Sequence, residues 1–112
     1  MQYLHNPRCS KSRQGLELLE QQNLQAEVRL YLKDPLNLNE LKNLMSALKL
    51  DDAKKMMRTK EPEFKTLNLS SASTDELLNA LLTTPKLLER PILINGNQAA
   101  IGRPPEQLLE IV

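Results

Sequence analysis

The sequence predicts an α/β fold in which a block of helices interrupts a four-stranded sheet. Three observations predict it. A short apolar stretch ending in a turn leads into a helical pattern at the start of the chain. The middle is dominated by leucines at helical spacing, and two short apolar runs flank Asn95-Gly96 ahead of a last leucine-rich segment.

Met1 to His5 contains Tyr3 and Leu4 and stops at Asn6-Pro7, the pattern of a short strand closed by a turn. From Ser10, Leu16, Leu18 and Leu19 gather on one helical face among Glu17, Glu20, Gln21 and Gln22, and Asn23 is a stop signal. Cys9 therefore falls at a strand-to-helix junction. Ala26 to Leu32 alternates Val28, Leu30 and Leu32 with Glu27, Arg29 and Tyr31, the period of a half-buried second strand, and Lys33-Asp34-Pro35 breaks it. Leu41, Leu44, Met45 and Leu48 follow amphipathic-helix spacing, and Asp51-Asp52 opens a shorter helix running toward Arg58. Ser73 and Glu76 form a capping box ahead of Leu77, Leu78, Leu81 and Leu82. Ile92 to Ile94 and the run ending at Ile101 flank Asn95-Gly96, which predicts an antiparallel hairpin. Gly102-Arg103-Pro104-Pro105 then leads into a closing helix carrying Leu108, Leu109 and Ile111.

A chain of 112 residues with 40% hydrophobic and 26% charged residues fits one domain over residues 1–112, with a core built from leucine. The formal net charge of +1 gives no field to recruit nucleic acid or anionic membrane, so charge chemistry must be local. One cysteine forms no internal disulfide, no secretory leader pattern precedes it, and no apolar run reaches the roughly 18 residues of a membrane span. The expectation is a soluble, monomeric protein of a reducing compartment, the cytoplasm.

Cys9 is the most informative position. Unpaired N–H groups and the helix dipole at a helix start stabilise a thiolate, and His5, Arg8, Lys11 and Arg13 stand close in sequence. A lone cysteine is also a small buried hydrophobe in many proteins, and position is what distinguishes the two readings. Three residues on, where a dithiol motif would place its second cysteine, stands Ser12. A serine hydroxyl donates a hydrogen bond to a thiolate but resolves no mixed disulfide, so turnover through Cys9 needs an outside thiol such as glutathione or a small dithiol protein. His5 either accepts a proton, supports the thiolate as a cation, or hydrogen-bonds within the first turn. Arg58, Arg90 and Arg103 sit at element boundaries, and guanidinium forks match oxyanions through paired hydrogen bonds. Arg90-Pro91 is a place where a cis peptide occurs in a minority of proteins. With one histidine and one cysteine, an N/S zinc site is not expected.

His5-Asn6-Pro7-Arg8-Cys9-Ser10-Lys11-Ser12-Arg13, Arg58-Thr59-Lys60-Glu61, Glu89-Arg90-Pro91-Ile92 and Gly102-Arg103-Pro104-Pro105-Glu106 together resemble the glutathione- and glutaredoxin-coupled arsenate reductase family. The likeness covers almost the whole chain, in order, and is greatest to the short members of that family. It implies a thioredoxin-like mixed four-stranded sheet with a helical insertion between strands two and three. It also implies Cys9 as nucleophile, His5 and Ser12 as its supports, Arg58, Arg90 and Arg103 on arsenate, and a cis bond before Pro91. The implied cycle uses glutathione as co-substrate and glutaredoxin as partner, with no metal or flavin. Two other functions fit the same residues: a glutathione-dependent thiol-disulfide oxidoreductase, and an Spx-type regulator that binds RNA polymerase. The second usually carries the Cys-x-x-Cys that Ser12 interrupts here.

Overall fold

The structure is a computed structural model that describes residues 1–112. It divides into two units, Met1–Asp34 with Arg90–Val112, and Pro35–Glu89. The first holds the sheet: β1 (Gln2–Leu4), β2 (Glu27–Arg29), β3 (Ile92–Asn95) and β4 (Gln98–Ile101), with helix α1 (Ser10–Gln21) and a closing 3₁₀ helix over Pro105–Ile111. The four strands lie in the order β2-β1-β3-β4. β1 runs parallel to β2 and antiparallel to β3, with Tyr3 opposite both Val28 and Leu93, and β3 pairs antiparallel with β4. The sheet is mixed because the connection from β1 to β2 is a helical crossover and that from β3 to β4 a tight hairpin. This is the α/β architecture the sequence predicts, with the helical block entering between the second and third strands.

Local chemistry explains the boundaries. α1 ends where Asn23 takes a left-handed φ of 57°. Leu24 N–H then reaches the Leu19 carbonyl at 2.9 Å and Asn23 N–H the Glu20 carbonyl at 3.0 Å, the paired bonds of a Schellman stop. The hairpin turn is shifted one residue from expectation: Asn95 pairs with Gln98 as a strand residue, and Gly96, at φ 63°, takes the first turn position. A glycine there suits the type II′ turn that matches strand twist. Asn95 is needed elsewhere, donating from Nδ2 to the Ile111 carbonyl at 2.6 Å and holding the chain's last turn on the sheet.

Two expectations change. The closing segment is a 3₁₀ helix, opened by Gln107 N–H bonding the Pro104 carbonyl at 3.1 Å. Residues three apart eclipse in that geometry, so Leu108 and Ile111 both turn to the core of Tyr3, Leu19 and Leu93. In the second strand the alternating apolar set is not the buried one: Val28, Leu30 and Leu32 are 43%, 37% and 43% exposed, whereas Tyr31 is buried. β2 is a three-residue edge strand, and beyond Arg29 the chain turns, with the Leu30 carbonyl accepting from the N–H groups of Lys33 and Asp34, both at 2.9 Å. Alternation therefore loses its meaning after Arg29.

The second unit is helical: α2 (Leu38–Ala47), α3 (Pro62–Thr66) and α4 (Thr74–Thr83), with 3₁₀ turns at Ala53–Met56, Leu69–Ser71 and Pro85–Leu87. Asn37 with Glu40 and Ser73 with Glu76 close reciprocal capping boxes at the starts of α2 and α4. Asp52 accepts from Lys54 N–H to open the turn that precedes Arg58. Leu41, Leu44, Met56, Phe64, Leu77, Leu78 and Leu81 are buried in this unit. No helix of the molecule is long and apolar enough to cross a membrane.

Candidate active site

Cys9 is the N-cap of α1, with extended backbone at φ −95° and ψ 122°. Its own N–H bonds the Asn6 carbonyl at 3.0 Å and its carbonyl accepts the first helical bond, from Arg13 N–H at 3.0 Å. Asn6 to Cys9 is thus a tight turn that delivers the side chain to the helix mouth, where it is partly exposed. The thiol makes no strict capping hydrogen bond, yet the first-turn N–H groups of Ser12 and Lys11 face it. Burial is the largest single influence on its pKa and pushes it up. Against burial act the Ser12 N–H, then the hydrogen bond and charge of Arg90, then the Lys11 N–H, and together they hold the thiol below its ordinary value. The rate of Cys9 alkylation by iodoacetamide is expected to rise with pH with a midpoint below the roughly 8.5 of a free thiol. A midpoint at or above that value would remove the thiolate from the description.

Ser12 is fully buried and is tied at three atoms. Its N–H faces Cys9. Its Oγ accepts from Asn6 N–H at 2.9 Å and lies 2.8 Å from His5 Nδ1, so the hydroxyl is engaged with the loop and the thiolate support comes from the backbone. Its carbonyl accepts from the Tyr3 hydroxyl at 2.5 Å. His5 is buried, and desolvation first and the Arg13 charge second lower its pKa, so the ring is neutral at neutral pH. Its Nδ1 meets Ser12 Oγ. Arg13 also fixes the loop, donating from Nη1 to the Pro7 carbonyl at 2.7 Å.

The Arg90 side chain meets Cys9 although the two residues are far apart in sequence. Its position is fixed by β3, which pairs with β1, and by the cis peptide Arg90–Pro91; Arg103–Pro104 is cis as well. Gly102 N–H bonds the Pro91 carbonyl at 2.9 Å, and Arg103 donates from Nε to the Arg90 carbonyl at 2.9 Å. The chain thereby brings His5, Cys9, Ser12, Arg90 and Arg103 into one connected set. Arg58 lies in the helical unit, where it pairs with Glu61 and bonds the Leu87 carbonyl through its N–H at 2.7 Å. Lys86 bridges to Glu63 at 2.7 Å beside that pair.

Tyr3 is the site residue that sequence reading passes over, since an aromatic in a strand signals only core. It is wholly buried, its ring centroid is 5.6 Å from that of His5, and its hydroxyl sits between the Ser12 carbonyl and the Leu16 N–H. Burial and the nearby Cys9 charge raise the phenol pKa against the pull of Ser12 and Leu16, so it remains a proton donor throughout the working range. No group of three or more His, Cys, Asp or Glu side chains is placed to hold a metal.

The family model described as ArsC family matches residues 4–111. The chain belongs to the ArsC family. An arsenate reductase of Haemophilus influenzae is 48% identical to this ArsC-family chain over 110 residues, 96% of this chain and 95% of the relative. The uncharacterized protein YfgD of Escherichia coli (strain K12) is 49% identical over 110 residues, 96% of this chain and 92% of its own. The solved structure of an arsenate reductase from Vibrio cholerae superposes with a TM-score of 0.94 at 47% identity, covering 100% of this chain and 98% of that one. The thioredoxin-like ArsC fold that the sequence motifs imply is therefore the fold of this protein.

Proposed function

We propose that the protein reduces arsenate to arsenite through Cys9, with glutathione and glutaredoxin as the source of electrons. The observation that carries this reading is a partly exposed thiol held below its ordinary pKa by helix N–H groups and by Arg90. The relatives named as arsenate reductases support the choice of oxyanion.

In the proposed cycle the Cys9 thiolate attacks arsenate and displaces a hydroxyl, which leaves as water with a proton, to give a sulfur–arsenic(V) adduct. The thiol of glutathione then condenses on the arsenic with loss of a second water. A glutaredoxin thiolate attacks the glutathione sulfur, forming a mixed disulfide while the electron pair of the broken sulfur–arsenic bond reduces arsenic(V) to arsenic(III). Water takes arsenite off Cys9 and returns the proton to the sulfur. Arg90 and Arg103, joined through the Arg90 carbonyl, would hold the oxyanion charge through their guanidinium donors. Arg58 is assigned to the same oxyanion on its motif alone. His5 and Tyr3 act through Ser12 by keeping its N–H aimed at the sulfur.

The test is arsenate-dependent NADPH oxidation by the purified chain with glutathione, glutaredoxin and glutathione reductase, beside protection of Cys9 from alkylation by arsenate alone. Oxidation that follows arsenate concentration, with protection, is the expected result. Absence of both overturns the reading, and disulfide reduction without arsenate turnover would replace it with a thiol-disulfide oxidoreductase.

A further inference from the structure

A groove of about 270 Å³ opens between the loop His5–Arg8 on one side and Leu30, Leu32 and Lys33 on the other. It lies off the carboxyl ends of β1 and β2, which run parallel and finish at Leu4 and Arg29. The floor is the pair of leucines that the alternation of the second strand would have buried and that remain 37% and 43% exposed. The rim carries Arg8 and Lys33, and no acidic side chain lines the groove.

Both walls are set before any ligand arrives. In the loop, the Asn6 carbonyl is held by Cys9 N–H, the Pro7 carbonyl by Arg13, and Asn6 Oδ1 accepts from Arg8 N–H at 3.1 Å. Opposite, the Leu30 carbonyl is doubly bonded within its turn. The groove offers apolar contact from Pro7, Leu30 and Leu32, the polar side chains of His5 and Asn6, and two cations, which suits an extended ligand that carries two carboxylates. Its volume is just under the roughly 300 Å³ where small-molecule pockets begin, so it accommodates part of a peptide-sized ligand in extended form.

We propose that this groove binds glutathione, its two carboxylates on Arg8 and Lys33 and its cysteinyl portion over Leu30 and Leu32, beside the loop that ends at Cys9. The inference rests on the reading of Cys9 as a nucleophile that needs an outside thiol, because the chain has one cysteine. It adds the place where that thiol waits, and it gives Arg8 and the exposed leucines of the turn after β2 a function.

S-methylglutathione, which cannot react, is the probe, titrated into the whole chain by calorimetry and by backbone amide NMR. Shifts confined to Asn6, Arg8 and Leu30 to Lys33 are expected. Replacing Arg8→Glu together with Lys33→Glu is expected to weaken binding about tenfold or more, and added salt to weaken binding to the unaltered chain. Equal affinity in the double variant, or shifts elsewhere on the molecule, would overturn the assignment. So would an affinity for S-methylglutathione that is unchanged while the KM for glutaredoxin rises, which would make the groove a protein-docking surface. Protection of Cys9 by arsenate needs no glutathione, so loss of the earlier reading is visible separately from loss of this one.

Discussion

Replacing Cys9 by serine is expected to remove arsenate-dependent NADPH oxidation down to the uncatalysed background, a fall of at least about a thousandfold, because a serine alkoxide is inaccessible near neutrality and forms no reducible sulfur–arsenic bond. The variant should nonetheless fold as well as the parent. Cys9 is the N-cap of α1, and serine is among the preferred residues there, its oxygen accepting from the N2 or N3 amide, so thermal stability should stay equal or rise slightly. Activity lost with stability kept separates chemistry from structure. Arg90→Ala should divide the same way: the alkylation midpoint of Cys9 rises, since a charge and a hydrogen bond that favour the thiolate are gone, and turnover falls by roughly a hundredfold, on the scale of removing one oriented donor to developing oxyanion charge. Retained turnover in Cys9→Ser, or an unmoved midpoint in Arg90→Ala, would contradict the mechanism at its first step.

What the sequence reveals about this molecule depends on how far apart the interacting groups lie. Asn23 as a helix stop and Ser73 with Glu76 as a helix start are local, three to five residues in reach, and each forms the bonds its residue type implies. Cys9 at a helix mouth is local too. The second strand misleads because period-two alternation continues past Arg29 into a turn, where the hydrogen bonds of Lys33 and Asp34 decide orientation and leave Leu30 and Leu32 outward. The site's supports were less legible still. Ser12 is conspicuous in sequence as the residue standing where a second cysteine would be, but its work is done by a backbone N–H, which no residue type announces. Tyr3 and Gly15 meet only because β1 lies under α1, and neither carries a signal beyond core aromatic and helix-weakening glycine.

That last pair gives the second large effect. Gly15 lies inside α1, where alanine would favour the helix by about 0.5–1 kcal/mol. A Cβ there, however, would fall on the Tyr3 hydroxyl and within 3.1 Å of both Leu108 Cδ1 and Pro91 Cγ. Gly15→Ala is therefore expected to destabilise the chain by about 2 kcal/mol, the helix gain being outweighed by overpacking and by a displaced buried phenol. Loosening Ser12 should also raise the alkylation midpoint of Cys9. Tyr3→Phe alone, which removes the bond to the Ser12 carbonyl, should cost about 1 kcal/mol. The decisive measurement is the double variant in urea unfolding. Phenylalanine leaves room for the methyl, so the pair should be no less stable than Tyr3→Phe alone, a favourable coupling of about 2 kcal/mol. Simple additivity of the two losses would mean that the clash lies with Leu108 or Pro91, and Tyr3 would lose its place as the residue that steadies Ser12 beneath the thiolate.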